Sequence, residues 1–277
     1  LNACNRVLQE TQCTSDEGLF FKAGAFDFND AILVTISDAS WAGETLIIDD
    51  QIFPRRSQHG YFIALGEPKL WDQDEGYLHI LGWKSGILRR TCRSTFRAES
   101  QGMILATETT TRVRKALADM ACLIKRKDPD WEDHIRTTRR NVWFTDCQSL
   151  HDYLINPVAQ GTEDKRLEID LEQLRESLWF DVNGDPKDDL TVDQTDKPRW
   201  IDTSAMICDP LTKAGNDKFK DRLVQTMITG YLNLEASPES ILKKMKTQKT
   251  RMEKAFEKVA VDTDEPYRDN TSGTHVS

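Results

Sequence analysis

The sequence lacks long apolar segments. No run approaches the roughly 20 residues that a helix needs to cross a bilayer, so we expect no membrane span. The first residues show no secretory signal pattern, and the chain begins with Leu1 rather than Met. We therefore expect an intracellular protein, and we interpret the chain as a segment of a longer polyprotein.

Cysteine and histidine are sparse and scattered. The six cysteines include no C-x-x-C pair, and the five histidines form no cluster. This spacing argues against a zinc module and against a small disulfide framework. We expect reduced cysteines and no zinc chemistry.

Positive charge is scarce overall but concentrated in the middle of the chain. The net charge is −9, yet residues 84–140 hold 14 Lys/Arg against 7 Asp/Glu. A basic stretch of this kind can contact phosphates even on an acidic chain, because salt screens exposed charges beyond about 10 Å at 0.1 M. Charge alone equally fits a solvated helix face.

The apolar pattern predicts an α/β fold. Residues 31–36, 60–65 and 77–83 are predicted strands, and a long helix with Ser94 or Thr95 as N-cap is predicted to run to about residue 127. Further along we predict strand 141–145, helices 148–155 and 165–178, strand 199–201, and helices 204–214, 218–228 and 238–259. Three successive strands indicate an antiparallel meander, and the later alternation indicates parallel additions. We expect a mixed five-stranded sheet flanked by helices.

Two aspartates end predicted strands on the buried face. Asp38 shares strand parity with Ile36, and Asp146 shares it with Phe144. A carboxylate at such a position is costly unless it is paired or bound to a metal. Asp38 has an alternative interpretation as an ordinary turn residue at a strand end.

Two further carboxylates lie near helix starts. Glu99 points along the apolar stripe of the long helix, with Met103 four residues on, and Asp209 follows the small residue Cys208. Singly, these are also explained as helix-dipole or surface charges. Four carboxylates together would repel one another, and oxygen ligands of this kind suit Mg²⁺ or Mn²⁺.

A series of short motifs resembles the ribonuclease H domain of Ty1/copia-type retrotransposon Pol polyproteins. The segment SDASWAG at 37–43 resembles the DA-x-WAG opening of that family. In order, the others are SQHGY at 57–61, WKS at 83–85, RSTFRAE at 93–99, TDCQS at 145–149, KRLEID at 165–170, and WIDT to CDPLTK at 200–213. The resemblance covers roughly residues 30–215. It departs from the family in having Cys208 where alanine is usual, and residues 200–208 lack the histidine that some ribonucleases H place before the last carboxylate.

The resemblance implies a ribonuclease H-like fold and a function. It implies metal-dependent cleavage of the RNA strand of RNA/DNA hybrids by a two-metal mechanism, with two Mg²⁺ ions (or Mn²⁺). The implied catalytic residues and metal ligands are Asp38, Glu99, Asp146 and Asp209. The implied substrate-binding residues are Lys84, Arg89, Arg90, Arg93, Arg97 and Ser149.

The resemblance also implies a context within a retroelement. Residues 1–30 would be the tail of the preceding reverse transcriptase, 31–215 the ribonuclease H-like domain, and the remainder a C-terminal extension. The residue pattern itself predicts that 216–260 are helical and that the polar residues 261–277 form a disordered tail. The reverse transcriptase portion of the same polyprotein would be a partner, in a cytoplasmic particle or in the nucleus. The acidic stretch 181–197 is expected to be a loop, and the sequence gives it no role.

Two alternatives stay open. An integrase-type core of the same general fold would use Asp38 and Asp146 with Glu172 or Glu176, but it would leave Glu99 unexplained. A catalytically inactive, nucleic-acid-binding retroelement remnant would keep the fold without the activity.

Overall fold

The structure is a computed structural model that describes residues 18–48, 51–121, 138–158, 161–162, 164–180, 185–190, 194–213 and 217–263. The predictions for residues 1–17 and for the tail after residue 263 concern residues outside this part of the chain, as does most of the prediction for the acidic stretch between residues 181 and 193.

A mixed sheet forms the centre of the fold. Strands β1 (Ile32–Ile48), β2 (Gln51–Gly66) and β3 (Glu75–Ile87) pair antiparallel, and β4 (Asn141–Thr145) and β5 (Asp196–Trp200) are added in parallel. With β6 (Tyr231–Asn233), the order within the described residues is β5-β4-β1-β2-β3-β6. The predicted fold class, a mixed α/β sheet with three antiparallel strands and then parallel additions, is confirmed.

The sheet has one strand more than predicted. The strand β6 pairs antiparallel with residues 75–77 of β3. It spans three residues, too few to produce a readable alternation of apolar and polar side chains. The strand β6 forms by pairing with the edge of β3, and the sequence of residues 231–233 alone does not predict this pairing.

The first hairpin is also longer than predicted. The residues between the predicted strands 31–36 and 60–65 continue β1 and β2, whose backbones stay paired as far as Ile48 and Gln51. Pro54 falls between Phe53 and Arg56, where the register is irregular. Proline is tolerated at such a bulge because no ladder hydrogen bond is required from its nitrogen.

Helices flank the sheet. Those described are α1 (Thr95–Met120), α2 (Gln148–Ile155), α3 (Lys165–Trp179), α4 (Asp209–Thr212), α5 (Asp217–Thr229) and α6 (Pro238–Thr263). Ser94 is the N-cap of α1, where its hydroxyl accepts a hydrogen bond from the backbone N–H of Arg97. None of the described helices combines the length and apolar composition that a membrane crossing requires.

The predicted helix 204–214 is wrong in its extent. The chain forms a short 3₁₀ turn over Thr203–Ala205 and then starts the four-residue helix α4 at Asp209. Pro210 accounts for the break, because proline is accepted in the first turn of a helix but not in its interior. Asp209 is therefore the first residue of a short helix and not part of the interior of a long one.

The two faces of the sheet bury alternate residues of β1. Ile32, Val34 and Ile36 pack in one core cluster with the segment around Cys208, whereas Leu33 packs on the other face with Ala106 of α1. Burial of such apolar side chains contributes about 1.5–3 kcal/mol each. Asp38 continues the first of these two rows.

The chain divides into two compact units, residues 1–235 and 236–277. The first contains the whole sheet, including β6, so residues 217–235 belong structurally with the sheet. The second contains α6. The assignment of residues 1–30 to a reverse transcriptase stays a prediction.

Candidate active site

Three carboxylates from separate elements meet at one end of the sheet. Asp38 lies on β1, Glu99 on α1, and Asp146 directly follows β4. One carboxylate oxygen from each lies within 4.8 Å of the others. The strand β1 runs on past the end of β4, whose last partner on β1 is Ile36. Asp38 therefore lies beyond the part of β1 that pairs with β4.

Small residues let α1 approach β1 at this point. A Cβ placed on Gly102 would lie 3.5 Å from the Cβ of Ala39 and 3.6 Å from the carbonyl oxygen of Asp38. Glu99 lies one helical turn before Gly102, and its carboxyl group is hydrogen-bonded to the backbone of Ala39. This close contact brings a helix carboxylate to the strand carboxylate Asp38.

Asp209 lies beside Asp38, and its side chain is buried. The two carboxyl groups are in hydrogen-bonding contact. The hydroxyl of Thr212 donates to Asp38, which ties α4 to β1, and Thr203 is hydrogen-bonded to Asp146. The structure thus places all four sequence-predicted carboxylates in one neighbourhood, three of them in the tightest group.

Burial and nearby negative charge raise the pKa values of three carboxyl groups in this site. Burial, and then the neighbouring charge of Asp38, raises the pKa of Asp146 to about 6 and that of Asp209 to about 6. Burial and the charges of Asp38 and Asp146 raise the pKa of Glu99 well above its usual value. Each shift means that the ionised form is disfavoured without a cation. The arrangement can therefore bind a divalent cation through oxygen ligands.

A cavity of about 450 Å³ opens beside these carboxylates. It is lined by Asp38, Ala39, Ser40, Trp41, Thr95, Glu99, Asp146, Cys147, Thr203 and Lys213. Sequence reasoning assigned no role to Thr203, Thr212 or Lys213. The latter two lie inside the quoted CDPLTK motif, and this was the available signal.

The predicted substrate-binding residues differ in their exposure and in their side-chain partners. Lys84, Arg89 and Arg93 are exposed. Arg90 is exposed but pairs with Asp170 at 2.8 Å. Ser149 is exposed at the start of α2, where it is hydrogen-bonded to the thiol of Cys147.

Arg97 differs from the other predicted contacts. Its side chain is buried, and its guanidinium pairs with Asp164, the N-cap of α3. A guanidinium held in this way fastens α1 to α3, which argues against a contact with substrate phosphate. Arg97 lies only two residues before Glu99, so the pair also supports the part of α1 that carries the carboxylate.

Gly60 of β2 lies in close contact with Leu211 of α4. It pairs with Asp38 across the hairpin, and a Cβ at this position would lie 2.5 Å from the Cβ of Leu211. We expect Gly60→Ala to displace α4 and to lower the free energy of unfolding by about 1–3 kcal/mol, as overpacking does. Urea denaturation measures this effect.

Gly82→Ala is the matched control for Gly60→Ala. Gly82 lies in β3 with nothing within 4 Å of an added Cβ, so this change should leave stability equal or slightly higher. Equal losses in the two variants would contradict the steric explanation.

Among known proteins, solved structures were found to be similar to this chain. No family model matches the chain, and no curated protein matches it. The N-terminal RNase H domain of Rv2228c from Mycobacterium tuberculosis, solved as a fusion with maltose-binding protein, has 11% identity and a TM-score of 0.36 over 69% of this chain and 95% of that one. RNase H1 from Halobacterium salinarum has 14% identity and a TM-score of 0.36, covering 68% of this chain and 98% of that one. The RNase H domain of prototype foamy virus has 12% identity and a TM-score of 0.30, covering 72% and 93%.

Proposed function

We propose that the chain is a ribonuclease H of a Ty1/copia-type retroelement, which hydrolyses the RNA strand of RNA/DNA hybrids with Mg²⁺. The observation that carries the proposal is the convergence of Asp38, Glu99 and Asp146, whose carboxylate oxygens lie within 4.8 Å of one another. Asp209 adjoins this group through Asp38.

The residues present fit divalent cations. The donors are carboxylates, the ligand type that Mg²⁺ and Mn²⁺ prefer, and burial together with neighbouring negative charge raises the pKa of Glu99, Asp146 and Asp209. Asp38, central among the four, would hold both ions, with Glu99, Asp146 and Asp209 completing the site. Two bound ions supply activation of a water nucleophile and stabilisation of the leaving oxygen.

The chain's own residues position the substrate. The exposed cations Lys84, Arg89 and Arg93 can bind backbone phosphates, an interaction that carries no sequence preference. Selection of the RNA strand would depend on its 2′-hydroxyl groups and on groove shape. The reverse transcriptase portion of the parent polyprotein is the expected partner, in a cytoplasmic particle or in the nucleus.

The positions of two other glutamates favour this function over an integrase-type core. Glu172 accepts a hydrogen bond from the hydroxyl of Tyr153 and pairs with Arg175, and Glu176 is exposed on α3. Neither belongs to the one carboxylate group found among the described residues. An integrase core would need one of them beside Asp38 and Asp146.

A strand-specific cleavage assay tests the proposal. With each strand of an RNA/DNA hybrid labelled separately, we expect Mg²⁺-dependent cleavage of the RNA strand alone. Asp146→Asn should remove this activity, whereas Asp152→Asn, an exposed aspartate on α2, should retain it. Tight binding of the hybrid without any cleavage would instead identify an inactive remnant.

A further inference from the structure

One lysine lies among the carboxylates of the candidate active site. The ammonium nitrogen of Lys213 is 2.5 Å from Oδ1 of Asp209, and about a third of its side chain is exposed. Lys213 directly follows α4 and lines the cavity that contains Asp38, Glu99 and Asp146.

Lys213 is the single cationic side chain among the residues that line this cavity. A lysine ammonium is positively charged at neutral pH. At this position, hydrogen-bonded to Asp209 and facing the same cavity as Asp38, Glu99 and Asp146, it neutralises part of the carboxylate site.

A divalent cation and this ammonium group compete for the same oxygens. Asp209 Oδ1 cannot accept the close hydrogen bond from Lys213 and also be a metal ligand without bringing two positive charges together. Lysine has a flexible four-carbon stem, and this side chain reaches solvent, so it can leave Asp209 without rearrangement of the backbone.

We propose that Lys213 is the exchangeable counter-cation of the site: it neutralises the carboxylates in the metal-free protein, and a divalent metal must displace it. This inference rests on the proposed metal-dependent function. It predicts that Lys213 sets the metal affinity of the site, so that the protein binds metal more weakly than the four carboxylates alone would.

Calorimetric titration of the full chain with Mn²⁺ tests this proposal. In Lys213→Met, and equally in Lys213→Gln, the affinity for Mn²⁺ should rise by roughly tenfold or more, the usual range for coupling between two bound groups. Lys213→Arg keeps the competing positive charge and should bind Mn²⁺ more weakly than either neutral variant. Lys197→Met is the matched control, because its ammonium lies 2.6 Å from Asp72 in another part of the fold, and it should leave Mn²⁺ affinity unchanged.

Thermal unfolding without metal is the second readout. Loss of the counter-cation should lower the Tm of Lys213→Met in EDTA and enlarge the Tm increase on addition of Mn²⁺. Unchanged or weaker Mn²⁺ binding in both neutral variants would overturn the counter-cation role. Absence of Mn²⁺ binding in the parent chain, or binding that survives Asp146→Asn, would instead overturn the metal site on which the inference rests.

Discussion

Replacing Glu99 by Gln should reduce Mg²⁺-dependent cleavage of an RNA/DNA hybrid by more than about 100-fold, because groups that only support metal ligands are already worth roughly 10- to 100-fold. Glu99 is one of the three carboxylates of the tight group. The amide of glutamine keeps the shape of the side chain but loses the charge that a divalent ion requires. Initial rates under single-turnover conditions give the comparison.

The Glu99→Gln protein should fold normally. The raised pKa of Glu99 shows that burial and nearby charge already favour its neutral form in the metal-free site. A neutral isostere therefore removes repulsion, and the Tm in EDTA should be equal or higher.

Glu176→Gln is the control that separates the two nuclease families. This exposed residue on α3 should be replaceable without loss of rate. Loss of activity in Glu176→Gln with retention in Glu99→Gln would contradict the ribonuclease H interpretation and favour the integrase-type core.

Replacing Asp196 by Ala should lower the free energy of unfolding by about 3–5 kcal/mol, the usual cost of leaving one partner of a buried ion pair alone. Asp196, the first residue of β5, accepts a hydrogen bond of 2.9 Å from Arg114 of α1. Both side chains are more than 95% buried. The guanidinium of Arg114 would lose the carboxylate that it pairs with, and urea denaturation measures the cost.

Two controls define the effect of Asp196→Ala. Asp72→Ala breaks an exposed pair with Lys197 and should change stability little. The double variant Arg114→Met/Asp196→Leu removes both charges and should recover much of the loss. A small effect of Asp196→Ala alone would contradict the assignment of a buried pair that joins α1 to the sheet.

Sequence patterns placed part of the site well. The alternation of apolar residues in β1 and β4 indicated that Asp38 and Asp146 leave the sheet on its buried side, and Asp38 does continue the row of Ile32, Val34 and Ile36. The apolar stripe of α1 likewise indicated that Glu99 points inward, and its side chain is buried. The inward directions of Asp38 and Glu99 were predictable because each depends on the regular period of one element.

The region around Asp209 was harder to predict. A 3₁₀ turn, Pro210 and a four-residue helix replace the single predicted helix, and none of them has a readable period. The contact of Asp209 with Asp38 joins positions 171 residues apart. Such a contact depends on how the chain returns to the sheet.

Local sequence patterns also did not predict the ion pairs. Arg97 looked like a phosphate contact because it lies in a basic stretch, but its partner Asp164 comes from the N-cap of α3. Lys213 received no role because its significance depends on carboxylates from three other elements. Partners distant in sequence decide whether a cation faces solvent or holds the fold together.

Anomalous diffraction from crystals soaked in Mn²⁺ tests the metal site most directly. We expect two manganese peaks about 3.5–4 Å apart, coordinated by oxygens of Asp38, Glu99, Asp146 and Asp209, with the ammonium of Lys213 moved away from Asp209. Crystals of Asp146→Asn should lose at least one peak. Manganese bound elsewhere, with no peak among these four carboxylates, would contradict a two-metal ribonuclease H.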